Sequence, residues 1–165
     1  MFKLASKRPP LGSVKVTIGD SETTWHYRRV GAIELSQIDE DLRPFKAHAI
    51  SRSVLYQANK EAVERVLKFI STDGDAEVQA VDLEVVSEIN RPQGPTVLLP
   101  LYTWLANLIV QVDGVGDENG EALRWSELDD EQRAYLCSHI QCGQVHDLIT
   151  KICRDSQLSE IELGK

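Results

Sequence analysis

The segment 105–128, with the sequence LANLIVQVDGVGDENGEALRWSEL, contains the signals that decide the fold. In its first part, apolar side chains recur at every second position: Leu108, Val110 and Val112. This alternation predicts a strand, because every second side chain of a strand lies on the same face. The sequence DENG at 117–120 is typical of a hairpin turn, because Asn and Gly tolerate the positive φ that such turns need. We therefore predict a β-hairpin near 107–125.

A helical region is predicted after this hairpin. Ser126, with Asp129 three residues later, has the spacing of a helix N-cap. Two helices are predicted to bury these apolar residues: Leu128, Tyr135, Leu136 and Ile140 in the first, and Val145, Leu148, Ile149 and Ile152 in the second. Gly143 is predicted to break or kink the chain between them. The C-terminal third is therefore expected to be helical.

The N-terminal part predicts another hairpin. Apolar and polar residues alternate over 14–18 and again over 23–30, and the turn sequence GDSE separates the two segments. Both segments have the period of half-buried strands. Residues 32–35 are predicted to add a short third strand. Residues 1–12 are predicted to be a flexible lead-in, because proline and glycine interrupt them.

The central part predicts helices. A helix entry at 36–41 is limited by Pro44, which permits at most a short helical turn before it. Residues 53–71 are the clearest helix of the chain, because their apolar side chains repeat every three to four positions. Residues 76–90 fit both a helix and a strand. We prefer the helix, since the segment is long for a strand.

The organisation of the whole chain follows from these segments. The sequence RPQGP at 91–95 predicts a loop, and Pro100 suits the start of a short helix that leads into the second hairpin. The predicted fold is α+β, with an N-terminal hairpin, central helices, the hairpin near 107–125 and C-terminal helices. We expect a single domain over 13–154 and a mobile polar tail over 155–165.

The composition is that of an acidic globular protein. The chain has 165 residues, of which 42% are hydrophobic, and a net charge of −8. Its three cysteines are an odd number, which favours a reducing compartment over a disulfide framework. The longest apolar run, at 97–112, is too interrupted to span a bilayer, and the N-terminus lacks the apolar core of a secretory signal. We therefore expect a soluble cytosolic protein.

The acidic residues are concentrated in the later part of the chain. Residues 1–56 have a net charge of +3, whereas residues 57–165 have a net charge of −11. Such a surface repels nucleic acid and favours a basic protein partner, although it also serves solubility alone. One alternative function is therefore an acidic inhibitor that mimics nucleic acid and blocks a basic partner.

The residues around the second hairpin are candidates for a partner contact. Trp125 ends the acidic hairpin, and aromatic residues are enriched at the centres of interfaces. Trp104, in contrast, is predicted to pack in the core. The predicted partner-binding residues are Asp117, Glu118, Trp125, Asp129, Asp130 and Glu131. Solvation of the charges and core packing of Trp125 are the simpler alternatives.

No catalytic motif, metal site or cofactor site is predicted. A cluster of thiols and imidazoles lies near the C-terminus: Cys137, His139, Cys142, His146 and Cys153. Only Cys142 and His146 have the spacing of a zinc-ligand pair, and no second pair accompanies them. The chain also lacks a nucleophile motif and a glycine-rich phosphate loop. A small enzyme or metal protein built on this cluster is the second alternative.

The segment 107–140 resembles the tail assembly chaperones of long-tailed bacteriophages. Members of that group often carry an apolar strand, Gly-Val, an acidic turn, a short strand and a helix. Gly114-Val115, the turn at 117–120 and Trp125-Ser126 hold those places here. The N-terminal hairpin also suits the group, whereas residues 73–100 depart from its pattern.

The resemblance implies a non-catalytic function. The protein would bind the phage tape-measure protein, keep its long apolar helices soluble and help to recruit tail-tube subunits. It would act in the host cytoplasm and be absent from the mature virion, and the sequence leaves open whether it forms a homo-oligomer. Such chaperones are often made in two forms by ribosomal frameshifting. Gly164-Lys165 can be encoded by the slippery sequence GGG AAA, so a minor longer product would support the resemblance.

Overall fold

The computed structural model describes residues 10–74, 77–116 and 120–163, without the side chains beyond residue 157. Within these residues the fold is α+β, as predicted, with a three-stranded antiparallel sheet and seven α-helices. The helices are α1 Ala32–Asp41, α2 Arg43–Ala58, α3 Lys60–Ser71, α4 Ala80–Ile89, α5 Pro95–Leu108, α6 Asp130–Ser138 and α7 Cys142–Leu163. The helical C-terminal third is therefore confirmed.

The sheet contains the predicted N-terminal hairpin. Its strands are β1 Gly12–Ile18, β2 Ser21–Tyr27 and β3 Ile109–Asp113, in the order β1-β2-β3. Trp25 is the centre of the sheet, since it pairs with Val14 on one side and Val112 on the other. Gly19 forms the turn between β1 and β2 with a φ of 59°, a left-handed conformation that glycine adopts without strain.

The second hairpin is shorter than its sequence suggests. After β3, the chain turns at Gly114 and continues into one antiparallel bridge between Gly116 and Ala122. Residues 117–119 lie outside the described part of the chain. Ser126, predicted as a helix N-cap, lies inside the 3-10 helix Trp125–Glu127, and Asp129 is the N-cap of α6. The 3-10 helix occupies the place where the sequence predicts the first helical turn.

Pro44 and Pro100 both lie inside helices, whereas the sequence predicts that Pro44 limits a helix and that Pro100 begins one. Helix α2 begins at Arg43 and continues through Pro44. The helix before it, α1, includes residues 32–35, which the sequence predicts as a strand. Pro44 is the second residue of α2, where its missing N–H costs no intrahelical hydrogen bond. In α5, Pro100 lies inside a helix that begins five residues earlier.

Three further boundaries differ from or match their predictions. The predicted helix over 53–71 is divided at Asn59, whose side-chain amide donates to the carbonyl of Leu55 at 2.9 Å. The preferred helix over 76–90 is confirmed by α4, within the residues described there. Gly143 does not separate the C-terminal helices, because it lies in the first turn of α7.

The chain divides into two compact units, which we describe separately. Unit 1 comprises residues 1–42 and 98–165, and unit 2 comprises residues 43–97. That the two units form one domain over 13–154 stays a prediction. The sheet, α5 and α7 all contribute to the buried core of unit 1, which includes Trp25, Leu101, Leu105, Leu108, Val145, Ile149 and Ile152.

The predicted tail boundary falls inside α7, which continues to Leu163. Ser156, which lies in the predicted tail, is held by two hydrogen bonds. Its hydroxyl is fully buried, accepts from the backbone N–H of Val30 at 3.0 Å and donates to the carbonyl of Ile152 at 2.8 Å. These bonds tie residue 156 to the segment that follows β2.

Unit 2 has a small core between α3 and α4. Its buried apolar side chains include Val63, Val66 and Ile89. Arg65 on α3 donates two hydrogen bonds, at 2.7 and 2.9 Å, to the buried carboxylate of Asp82 on α4. These hydrogen bonds hold the pKa of Asp82 below its ordinary value, because they favour the ionised carboxylate.

Candidate functional site

Trp125 is a core residue and not an exposed anchor, which corrects its predicted role. Only 4% of it is exposed, and its ring lies 5.7 Å from that of Trp25. Its indole N–H donates to the carbonyl of Ile109 at 2.9 Å, which satisfies the polar atom of the buried ring. Of the other predicted contact residues, Asp117 and Glu118 lie outside the described residues.

The remaining acidic candidates lie at the start of α6. The carboxylate of Asp129 accepts from the backbone N–H of Gln132 at 2.8 Å, and the Gln132 side chain accepts from the N–H of Asp129. This is a capping box. Asp130 and Glu131 are exposed in the first turn, where a negative charge interacts favourably with the helix dipole. The acidic run therefore has a structural role in addition to any partner contact.

Replacing Asp129 with alanine is expected to lower the free energy of unfolding by about 1 kcal/mol, the usual contribution of an N-cap. The loss arises because the amide of Gln132 then has no acceptor. Urea denaturation measures the effect. Asp130→Ala is the matched control, since it removes a negative charge from the same helical turn and a 3.6 Å ion pair with Arg133 but leaves the cap intact. Equal losses in the two variants would contradict the capping role.

The cysteines and histidines do not assemble a metal site. Among the described residues, no group of three or more His, Cys, Asp or Glu side chains could hold a metal ion. Cys137 is fully buried, and burial raises the pKa of its thiol to about 12. A thiol with that pKa is protonated at neutral pH and is a poor nucleophile or ligand.

A polar cluster links β2 to α7 in unit 1. The hydroxyl of Tyr27 donates to the carboxylate of Asp155 at 2.6 Å, and the ammonium of Lys151 donates to both, at 3.1 and 2.5 Å. Burial raises the pKa of Tyr27 and the hydrogen bond to Asp155 adds to this. Burial opposes ionisation of Asp155, but the bonds from Lys151 and Tyr27 outweigh it and lower the pKa of that carboxyl.

We expect this cluster to make stability depend on pH in the acid range. Because the pKa of Asp155 is lowered in the folded state, its contribution is present above the unfolded value of about 3.9 and is lost as the pH falls through the folded value. The stability difference between the wild type and Asp155→Asn should therefore shrink from pH 6 to pH 3. Urea midpoints at both pH values measure it, and a constant difference would contradict the expectation.

A groove of about 300 Å³ lies between β1 and α7. Lys15 and Lys151 are its cationic lining residues. Each is already paired within the chain, Lys15 with Glu22 at 2.6 Å and Lys151 with Asp155 at 2.5 Å. Because both charges are neutralised, the groove offers little to recognise an anionic ligand.

Unit 2 exposes an unusual amount of apolar surface. Twelve large hydrophobic side chains are exposed among the described residues, and eight of them belong to this third of the chain. The eight are Ile50, Val54, Tyr56, Leu67, Phe69, Ile70, Val81 and Leu83. Exposed apolar side chains that concentrate in one region indicate an interaction surface.

Helix α2 presents its aliphatic side to solvent. Spacings of three and four residues place four exposed side chains on one side of the helix, which we name the α2 stripe: Ala47, Ile50, Val54 and Ala58. The opposite side is more covered, although two of its members are polar: Phe45, His48, Arg52 and Leu55. In a helix that only packs on its own chain, the apolar side faces inward. The α2 stripe therefore has the character of a contact surface.

Helix α3 also exposes apolar side chains, at its C-terminal end. Its inner side chains, including Val63 and Val66, are buried, but Leu67 and Ile70 on the next turn are 60% and 66% exposed. Leu67 and Ile70 are three residues apart and therefore neighbours on the helix. The sequence contains this signal as an amphipathic pattern, but the pattern does not tell which turns the chain itself covers.

The aliphatic character of the α2 stripe determines which kind of contact suits it. The members of the α2 stripe, and Leu67 and Ile70 of α3, are aliphatic, and such side chains contain no nucleophile or general base. Amphipathic helices bind such faces by placing side chains at i, i+3, i+4 and i+7 on them. In the described part of the chain, no helix is both long and apolar enough to cross a membrane. Comparison with protein-family models, curated proteins and solved structures finds no match for this chain.

Proposed function

We propose that the protein is a non-catalytic phage tail assembly chaperone. It binds apolar helices of the tape-measure protein through the α2 stripe, keeps them soluble, and helps to recruit tail-tube subunits in the host cytoplasm. It leaves before the virion is complete. The observation that carries the binding role is the outward aliphatic side of α2. The choice of partner rests on the resemblance of segment 107–140 to such chaperones.

The distribution of charge between the two units supports the proposal that unit 2 contains the binding surface. Unit 1 holds 11 Lys/Arg and 18 Asp/Glu, a net charge of −7, whereas unit 2 holds 7 and 8, a net charge of −1. Excess negative charge keeps a protein soluble. A nearly neutral unit with exposed aliphatic residues is suited to apolar contacts. Unit 1 thus favours solubility of the complex, and unit 2 favours binding.

Co-expression with the tape-measure protein of the same phage tests the proposal. The tape-measure protein should be insoluble alone and should co-purify in the soluble fraction when this chain is present. Pull-down of the tail-tube protein by that complex tests the recruitment step. Tape-measure protein that stays insoluble, or fails to co-purify, overturns the proposal.

A charge-neutralised variant separates this function from the acidic-inhibitor alternative. Asp129→Asn, Asp130→Asn and Glu131→Gln remove three negative charges, and Asn is as good an N-cap as Asp. The chaperone proposal expects unchanged recovery of the tape-measure protein, because its contact is apolar. An inhibitor that mimics nucleic acid would lose affinity for its basic partner in this variant.

A further inference from the structure

The α2 stripe has a charged end, and this end defines the helix that it binds. We propose that the stripe selects an amphipathic helix with a carboxylate at the end of its apolar face, which pairs with Arg43. This inference rests on the proposed function and specifies the chemistry of the tape-measure segment. The ion pair with Arg43 adds selectivity, whereas the apolar part of the stripe can bind a helix without it.

Arg43 continues the line of the α2 stripe. It lies four residues before Ala47 and seven before Ile50, which places all three on the same side of α2. Its side chain is exposed. A helix that covers Ile50 and Val54 therefore extends over the guanidinium if it continues for about two more turns.

Arg43 makes no ion pair within the described residues. Five other arginines do: Arg28, Arg65, Arg91, Arg124 and Arg133. Helix α2 also contains no Asp or Glu in its 16 residues. Of the acidic residues at 39–41 that precede it, Asp41 already accepts hydrogen bonds from Gln37 and Trp104. An unpaired cation in line with an exposed aliphatic stripe is complementary to an acidic amphipathic helix.

The stripe also has a shape that suits a helix. Its large side chains, Ile50 and Val54, lie between the small side chains of Ala47 and Ala58. Small residues let the backbone of a second helix approach closely, and large side chains of that helix fill the space above them. The stripe extends over about 16 Å of helix, which is about three turns.

Designed peptides test the inference on the full chain. Three peptides share a leucine stripe of three turns and differ only at its two ends, which carry glutamate, glutamine or lysine. Placing the same residue at both ends makes the result independent of orientation. Fluorescence anisotropy should show that the glutamate peptide binds about fivefold more tightly than the lysine peptide, as expected of an exposed ion pair. This preference should diminish in 1 M salt.

Charge reversal makes the test specific to Arg43. In Arg43→Glu, the preference should invert, so that the lysine peptide binds more tightly. Arg91→Glu is the matched control, because Arg91 is also an exposed arginine of unit 2 but lies outside α2. Its peptide preference should equal that of the wild type.

The outcomes separate this inference from the proposed function. If the three peptides bind equally, and Arg43→Glu changes nothing, the stripe binds helices without selecting charge, which overturns the inference alone. A preference that Arg91→Glu inverts as strongly overturns it as well, since the effect is then one of net charge. If no peptide binds, the inference falls, and co-expression with the tape-measure protein decides the proposed function independently.

Discussion

Replacing Trp125 with alanine is expected to lower the free energy of unfolding by about 3–5 kcal/mol, the range of large-to-small core substitutions. The side chain is 4% exposed and packs against Trp25, with ring centroids 5.7 Å apart. Its removal leaves a cavity beside the centre of the sheet and the carbonyl of Ile109 without its indole donor. The guanidinium of Arg133, 5.9 Å from the ring centroid, also loses its aromatic partner.

Two further substitutions make this expectation specific. Trp125→Phe retains an aromatic ring and loses the hydrogen bond, so its cost should be about half as large or less. Tyr135→Ala removes an aromatic side chain that is 65% exposed, and should change stability by only about 0.5 kcal/mol. Urea denaturation by circular dichroism measures all three. A stable Trp125→Ala variant would show that the ring is not part of the core.

The elements that the sequence predicts well are those with a clear period. The strand at 14–18 alternates, and the apolar residues at 145–152 repeat every three to four positions, so one face of each is buried by its own chain. Helix α2 was predicted only in part, for two physical reasons. Pro44 resembles a helix breaker unless the helix begins at residue 43, and the apolar residues of α2 lie on both of its sides.

The sequence does not reveal the candidate site, because it does not show which apolar side chains are exposed. An exposed tryptophan and a buried one have the same sequence signature, and only the contact with Trp25 shows that Trp125 belongs to the core. Ile50 and Val54, in contrast, look like ordinary core residues in the sequence. Periodicity gives the side of the helix on which they lie, but only tertiary structure shows that unit 2 leaves this side uncovered.

The double substitution Ile50→Gln and Val54→Gln is expected to weaken the binding of an apolar helix by at least about thirtyfold, since burying the exposed two thirds of each aliphatic side chain contributes about 1–2 kcal/mol. The two residues are 65% and 63% exposed in the free protein. Their apolar area is therefore available to be buried by a partner, and its loss should appear in binding. The free energy of unfolding should change by only about 0.5 kcal/mol, because neither side chain is part of the core.

Recovery of the soluble tape-measure protein and the Kd of the glutamate peptide both measure this effect. The matched control is Ile33→Gln with Tyr135→Gln, which removes two apolar side chains of unit 1 that are 87% and 65% exposed. If exposed hydrophobicity in general retained the partner, both double variants would lose binding alike. If the α2 stripe retains it, only the unit 2 variant fails while its urea midpoint stays unchanged. Equal binding by the wild type and both variants would exclude α2 as the contact.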